Sequence, residues 1–219
     1  MKYGYEILPE WFEVPKFAFL LKKDLAEKNP FDELEIKKGD VVMECGCFIG
    51  TFASACIENG AATVISFEAE PRNFEFVSRN LTKYGKRFKV FNNAIVGKFV
   101  PFVTIYSGGF RGCDSIINGN QGKTITRKSC VRAASFRGEL LKIKPSVLKM
   151  DIEGAEYEAL KTLKNGDLKS IREMHIEFHK NPQRDIEMKA FEIFLNSQGF
   201  EKTIKSRPRK FVAKRIKNI

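Results

Sequence analysis

The sequence predicts an α/β protein: a mostly parallel sheet of seven strands with helices on both faces and an antiparallel hairpin at its C-terminal end. Short apolar strands alternate with helix-length segments from residue 40 to residue 197, the pattern of βαβ units whose strands pair in parallel. The last stretch breaks that alternation and reads as two strands around a basic turn. A length of 219 residues suits one α/β domain and leaves no room for two large ones.

The chain opens on an amphipathic helix over 15–28, where Phe17, Leu20, Leu21 and Leu25 recur at helical spacing; residues 1–38 form a helical lead-in. Residues 40–44 are the first strand, a glycine turn follows, and a helix over 51–59 stops at Gly60. The second strand spans 63–68. The next helix, over 71–84, has Pro71 at its start and Phe74, Val77 and Leu81 inward. The third strand covers 88–92, the fourth 146–151 with a helix over 155–164, and the fifth 171–178. A helix over 185–197 presents Ile186, Phe191 and Phe194, and the hairpin takes 199–204 and 211–215. Between the third and fourth strands, residues 96–145 interrupt the pattern. They hold strands over 100–106 and 123–131, a glycine-rich loop over 107–115 and a short helix over 135–142. Long loops in a compact domain usually carry function, and this insert is assigned to the acceptor side.

Hydrophobic residues make up 43% and charged residues 30% of the chain, a globular composition. No apolar run approaches the ~20 residues of a membrane span, and the first residues lack the apolar core of a signal peptide; a cytoplasmic protein is expected. Five cysteines without a CxxC pair argue against both a disulfide framework and a zinc knuckle. Cys45 and Cys47 read as small residues of a tight turn. The net charge is +11, and residues 201–219 hold eight Lys/Arg against Glu201 alone, a local +7. Such an end attracts phosphates or an acidic polymer, and equally serves as a solvated hairpin.

The turn after the first strand reads Glu44-Cys45-Gly46-Cys47-Phe48-Ile49-Gly50. A dinucleotide fingerprint needs glycines two and then three apart, whereas these stand four apart. The spacing fits acidic-x-Gly-x-(Gly)-x-Gly, the first motif of S-adenosylmethionine (SAM) methyltransferases, with Phe48 in place of the middle glycine. A carboxylate here repels a pyrophosphate but favours the ammonium and sulfonium of SAM. Gly46 lets the backbone approach the ligand, and Gly50 lets the helix pack closely on the strand. Glu68 ends the second strand, placed to accept hydrogen bonds from both ribose hydroxyls. Asn92, Asn93 and Ala94, at the end of the third strand, would line the adenine edge.

At the fourth strand stands Leu148-Lys149-Met150-Asp151-Ile152-Glu153-Gly154-Ala155-Glu156. It resembles the Leu-Lys-hydrophobic-Asp-hydrophobic-Glu-Gly-Ala-Glu signature of the FkbM family of SAM-dependent methyltransferases. Phe67-Glu68-Ala69-Glu70-Pro71 with Asn73-Phe74 and Asn80-Leu81, then Asn93-Ala94, then Ile176-Glu177-Phe178-His179 match further family stretches in order. The departures are the glycine turn, which in the family reads Asp-x-Gly-Ala-Asn-x-Gly, and Ala69 in place of a proline. The resemblance implies a class I, Rossmann-like enzyme acting on hydroxyls of sugars or other small molecules, with SAM as cofactor and S-adenosylhomocysteine (SAH) as product. The cofactor set is then Glu44, Gly46, Cys47, Phe48, Gly50, Glu68, Ala69, Asn93, Ala94 and Asp151.

Methyl transfer is an in-line displacement, so positioning supplies much of the acceleration, and a base near a sugar hydroxyl adds ~10²–10⁴-fold. Asp151, Glu153, Glu177 and His179 lie at or just past strand carboxyl ends and can converge on one mouth. His179 or Asp151 is the expected base, with Glu153 beside them; His175, deeper in the same strand, is expected to be a packed core histidine. Asp151, Glu153 and Glu177 would also suit a divalent metal, but the favoured reading needs none. Arg111, Asp114 and Ser115 of the loop, with Glu177, are candidates for gripping an acceptor, a sugar or glycan that the charge allows to be anionic. Lys123, Arg127, Lys128 and Arg132 would give the insert a basic face. Two other readings are an RNA or nucleotide-linked methyltransferase and a non-catalytic basic binding module. Against the first, only Phe211 interleaves the C-terminal basic cluster, where base stacking wants several aromatics, and no Asn/Asp-Pro-Pro-aromatic string is present. Against the second, carboxylates gathered at one mouth repel one another unless a cation or donor-rich ligand sits there.

Overall fold

The chain alternates strand and helix as its apolar periodicity demands. A computed structural model describes residues 34–108, 114–117, 125–179, 184–203 and 210–216; the helix expected over 15–28, Arg111 and the hairpin turn lie outside the described residues. In chain order the elements are β1 (Val41–Cys45), α1 (Thr51–Glu58), β2 (Thr63–Phe67), α2 (Pro71–Asn80), β3 (Phe88–Phe91), β4 (Asn93–Val96), β5 (Phe102–Ser107) and β6 (Arg127–Ser135). There follow α3 (Phe136–Ile143), β7 (Val147–Met150), α4 (Glu156–Leu160), β8 (Glu173–Glu177), α5 (Arg184–Ser197), β9 (Phe200–Lys202) and β10 (Lys210–Arg215).

The main sheet has seven strands in the order β3-β2-β1-β7-β8-β10-β9. The first five are parallel, and β10 runs antiparallel to both β8 and β9. Both faces are covered, which is why the strands read as apolar runs rather than half-polar alternation. On β1, Val42 joins Phe52, Ile57, Phe76 and Val77 of α1 and α2, while its neighbour Met43 joins Phe136, Tyr157, Phe191 and Leu195 of α3, α4 and α5. Strand order reverses between β1 and β7, and such a switch point opens a crevice at the strand carboxyl ends.

Three expectations are corrected. The helix over 71–84 ends at Asn80, and a 3-10 segment over Thr82–Arg87 takes the rest, broken by Gly85 at φ 55. The helix over 155–164 is only Glu156–Leu160; the chain turns away as the Thr162 hydroxyl bonds Ala159 O and Asp167 accepts from Lys164 N–H. The insert is more than a hairpin: Asn93–Val96 pairs in parallel with β6, and β5 pairs antiparallel with it, making a second sheet in the order β4-β6-β5. Asn92 explains the departure from β3, because its amide donates to Glu68 O and Ala69 O and turns the chain out of the main sheet.

Candidate active site

A turn with almost no conformational freedom forms the cleft floor. Gly46 has φ +78, and a Cβ there would stand 1.9 Å from the Asp151 carbonyl oxygen, so only glycine lets the turn after β1 lie against the end of β7. Gly46 N–H donates to Phe67 O and Asp151 N–H to Cys45 O, both at 2.9 Å, tying β1, β2 and β7 together. The close approach expected of Gly46 is thus made to Asp151. Gly50 corrects another expectation: a Cβ there would meet Leu81 Cδ1 at 2.7 Å and Val77 Cγ2 at 2.8 Å, so the glycine serves contact with α2 and its end rather than with the strand.

Glu68 stands buried at the end of β2. Its Oε2 accepts from Phe48 N–H at 2.8 Å and Cys47 N–H at 3.2 Å, and its Oε1 from Glu70 N–H at 2.9 Å. Burial pushes the Glu68 carboxyl up to about 8; Asp114 adds to this, while the N–H groups of Phe48 and Cys47 act against it. Cys47 contributes its backbone here, its thiol being buried in the same core cluster as that of Cys56. Glu44 departs from expectation. It is wholly buried and absent from the cleft wall; Ser66 Oγ donates to it at 2.7 Å, and Lys149 Nζ lies 3.8 Å away. Burial pushes its carboxyl up to about 7 against Lys149 and Ser66. Its partner is a lysine inside the protein rather than a cofactor cation.

Lys149 itself lines the cleft. Its ammonium donates to Gly46 O at 2.8 Å and stands 3.8 Å from Asp151 Oδ2. Burial opposes this charge, but Asp151 and Glu44 outweigh it and hold the ammonium above its ordinary range. The cleft is a groove open to solvent rather than an enclosed cavity, its empty space of about 640 Å³ running out through the mouth. Toward the small sheet its wall is apolar, with Ala69, Ala94, Ile105 and Ile116 packed as one group. Toward β7 it is charged, with Lys149, Asp151 and Glu153. Asn73 and Asp114 meet at 3.5 Å on its rim.

His179 lies behind this charged end, 4% exposed and outside the cleft wall. Its Nδ1 is 2.9 Å from Glu156 Oε1, and its Nε2 is 3.5 Å from Glu153 Oε1 and 3.7 Å from Asp151 Oδ1. Burial disfavours the imidazolium, yet the hydrogen bonds to Glu153 and Glu156 outweigh it and push the pKa up to about 11. An imidazole carrying both protons accepts none at neutral pH, which disfavours His179 as base. Glu153 holds its position with φ 54 and a hydrogen bond from Ser115 Oγ to its carbonyl at 2.7 Å. Ser115 is therefore a pin between the insert and the loop after β7 rather than an acceptor contact. Glu177, half-buried at the end of β8 opposite Lys210, is raised by burial and by Asp151.

Of the residues expected at the site, the structure gathers Gly46, Phe48, Glu68, Ala69, Asn93, Ala94, Asp114, Asp151 and Glu153 around one cleft. Lys149, Asn73, Ile105 and Ile116 join them unannounced. Lys149 stands within the Leu148–Glu156 string, where its neighbour Asp151 was a usable signal; Ile105 and Ile116 come from the insert and carry none.

A sheet in this order, with a cleft at the carboxyl ends of β1, β2 and β7, defines a class I methyltransferase fold. The chain belongs to the FkbM methyltransferase family, whose domain matches residues 44–202. Hexuronic acid methyltransferase AglP of Haloferax volcanii is 28% identical over 153 residues, 66% of this chain and 58% of that protein. Solved structures of similar fold include magnesium protoporphyrin IX methyltransferase of Synechocystis with bound SAM (12% identity, 98% and 88% of the two chains, TM-score 0.45). TrmK of M. capricolum with SAH is another (10% identity, 82% and 62%, TM-score 0.42). The residues present fit the family's cofactor: an apolar slot for a base, a buried acceptor-rich Glu68 beside it, and a charged floor at Lys149 and Asp151.

Proposed function

We propose that the chain transfers a methyl group from SAM to a hydroxyl of a sugar or glycan. The observation that carries this reading is a single cleft whose apolar wall and Glu68 suit a nucleoside while its other end offers Asp151 and Glu153 to hydroxyl groups. SAM, when bound, supplies an electrophilic methyl on sulfur. Glu68 accepts from the ribose hydroxyls, and Ala69, Asn93 and Ala94 face the adenine. Gly46 and Phe48 lie along the cofactor, and Lys149 and Asp151 bracket its methionine end. Asp151, its side chain one-third exposed, polarises the acceptor hydroxyl, with His179 behind it as a positioning residue. Glu153 and Asp114 accept from the acceptor's other hydroxyls, while Glu177, outside the cleft wall, acts on Asp151. A sugar acceptor also draws support from the hexuronic acid methyltransferase among the relatives.

Calorimetric titration with SAM and SAH tests the cofactor side; no heat at millimolar ligand would overturn the reading. Mass spectrometry of uronate-containing glycans and of RNA, each incubated with SAM, tests the acceptor, and a mass gain confined to RNA would refute the sugar assignment. Asp151→Asn should lower turnover by ~10²-fold or more.

A further inference from the structure

The small sheet turns one face to solvent. Side chains alternate along β5 and β6, and Ile105 and Val131 point into the apolar group beside the cleft. On the other face the antiparallel register sets Phe102 opposite Arg132, Thr104 opposite Cys130 and Tyr106 opposite Lys128, three cross-strand pairs of which two join an aromatic ring to a cation. Phe102 is 55% exposed; Thr104, Lys128, Cys130 and Arg132 are exposed as well. Lys128 Nζ stands 5.6 Å from the centre of the Tyr106 ring. Just before β5, Lys98 and Phe99 are also exposed. Exposed aromatics gathered in one place mark an interaction surface, where a single one would not. The charge here is one-sided. Residues 97–135 hold Lys98, Arg111, Lys123, Arg127, Lys128 and Arg132 against Asp114 alone. Arg127 is taken by Glu70, whereas Lys98, Lys128 and Arg132 have no carboxylate partner among the described residues. Their field is left to attract an anion from solution.

We propose that this face docks an acidic glycan, a chain of sugars of which some carry a carboxylate. Phe102 and Tyr106 pack against the C–H faces of its rings, and Lys98, Lys128 and Arg132 take its carboxylates. Lys128 and Arg132 stand four residues apart, about 14 Å along an antiparallel strand, and Phe102 and Tyr106 repeat at the same interval. A nucleic acid brings a phosphate with every nucleotide and wants a ring for each successive base. A glycan acidic at only some of its sugars suits the wider spacing. Ile105 lines the cleft from the opposite side of β5, so the face holds a part of the glycan remote from the methylated sugar. The choice of a glycan rests on the methyl-transfer reading above, while the attraction of a polyanion does not.

The test titrates the full chain, without SAM, in a calorimeter. The probes are polygalacturonate, its fully methyl-esterified and therefore uncharged counterpart, and poly(U) RNA. Polygalacturonate should bind about tenfold or more tightly than the ester, and more weakly as salt rises. The double variant Lys128→Gln/Arg132→Gln should weaken it about tenfold or more, and Phe102→Ala about threefold. Lys142→Gln, beside Glu139 on the surface of α3, should leave it unchanged. All four side chains are exposed, so wild-type circular dichroism is expected throughout. The proposal is overturned by no binding of polygalacturonate, by equal binding of the ester, by equal binding to wild type and double variant, or by tighter binding of poly(U). SAM titration separates the two readings: SAM bound without polygalacturonate ends the docking face alone, and polygalacturonate bound without SAM ends the methyl-transfer reading.

Discussion

Glu68 has both carboxylate oxygens engaged by backbone N–H groups, those of Cys47 and Phe48 on one side and Glu70 on the other. The residue proposed to meet a ribose thus also shapes the glycine turn. Its carboxyl is pushed up to about 8 by burial, while ribose hydroxyls donate more strongly to the ionised form than to the acid. Cofactor binding below that pH should therefore release up to one proton. Affinity should rise up to about tenfold per pH unit as pH climbs toward 8, and flatten above it. Calorimetry in buffers of different ionisation enthalpy reads the proton directly. Gly46→Ala, forced to place a Cβ 1.9 Å from Asp151 O at φ +78, should cost about 2 kcal/mol or more in urea unfolding. Both residues were legible in the sequence, one from the glycine spacing and one from its place after it. The burial of Glu44 was not, because its ion pair with Lys149 joins residues on neighbouring strands.

Strand β8 carries His175 in the middle of the sheet, opposite Lys149 on β7 and Val212 on β10. It is buried as expected, with neither ring nitrogen partnered. Burial pushes its pKa down to about 3, and the Lys210 and Lys149 charges add to this against Asp151. A depressed histidine stabilises the fold above about pH 6.5, and that stability is lost as pH falls toward 3. The slope is up to about 1.4 kcal/mol per pH unit. His175→Met should flatten this acid limb in denaturation curves; an unchanged limb would assign it to the carboxylates. Strand β4 shows what period alone cannot read. Asn93–Val96 looks like the tail of β3, yet it joins another sheet, where Gly97 lets it approach α4: a Cβ there would stand 2.0 Å from Glu158 O.

Across the whole molecule, the two ends of the sheet do different work. The carboxyl ends hold the cleft. The opposite end holds an ionic network in which wholly buried Glu173 takes Arg172 at 2.9 Å and Glu35 N–H at 3.1 Å, with Lys214 at 3.5 Å and Arg172 also on Asp40 at 2.7 Å. Glu173→Ala should cost about 3 kcal/mol or more while leaving SAM affinity unchanged in calorimetry, since network and cleft share no residue. SAH at a hundredfold excess over its Kd should add about 2.7 kcal/mol of stability, a Tm rise of roughly 5–10 °C by scanning calorimetry. The basic C-terminal end also looks different in the fold. Lys202 pairs with Glu192 and Lys214 with Glu173 and Glu35. Arg215 donates to the carbonyls of Ile171, Gln198 and Leu168. These cations bind the hairpin to the domain rather than stand ready for an acidic polymer.

The sequence by itself determined the strand order's raw material, the glycine turn, the acidic residue after β2 and the Asp151–Glu156 string, because periodicity, turn chemistry and spacing are local. Only the tertiary structure decided which of those groups face the cleft and which protons they hold. Lys149 reaches Gly46 across 103 positions and His179 reaches Glu156 across 23. It is this proximity and the burial around it, invisible in a linear pattern, that make His179 a caged cation rather than a base and withdraw Glu44 from the ligand.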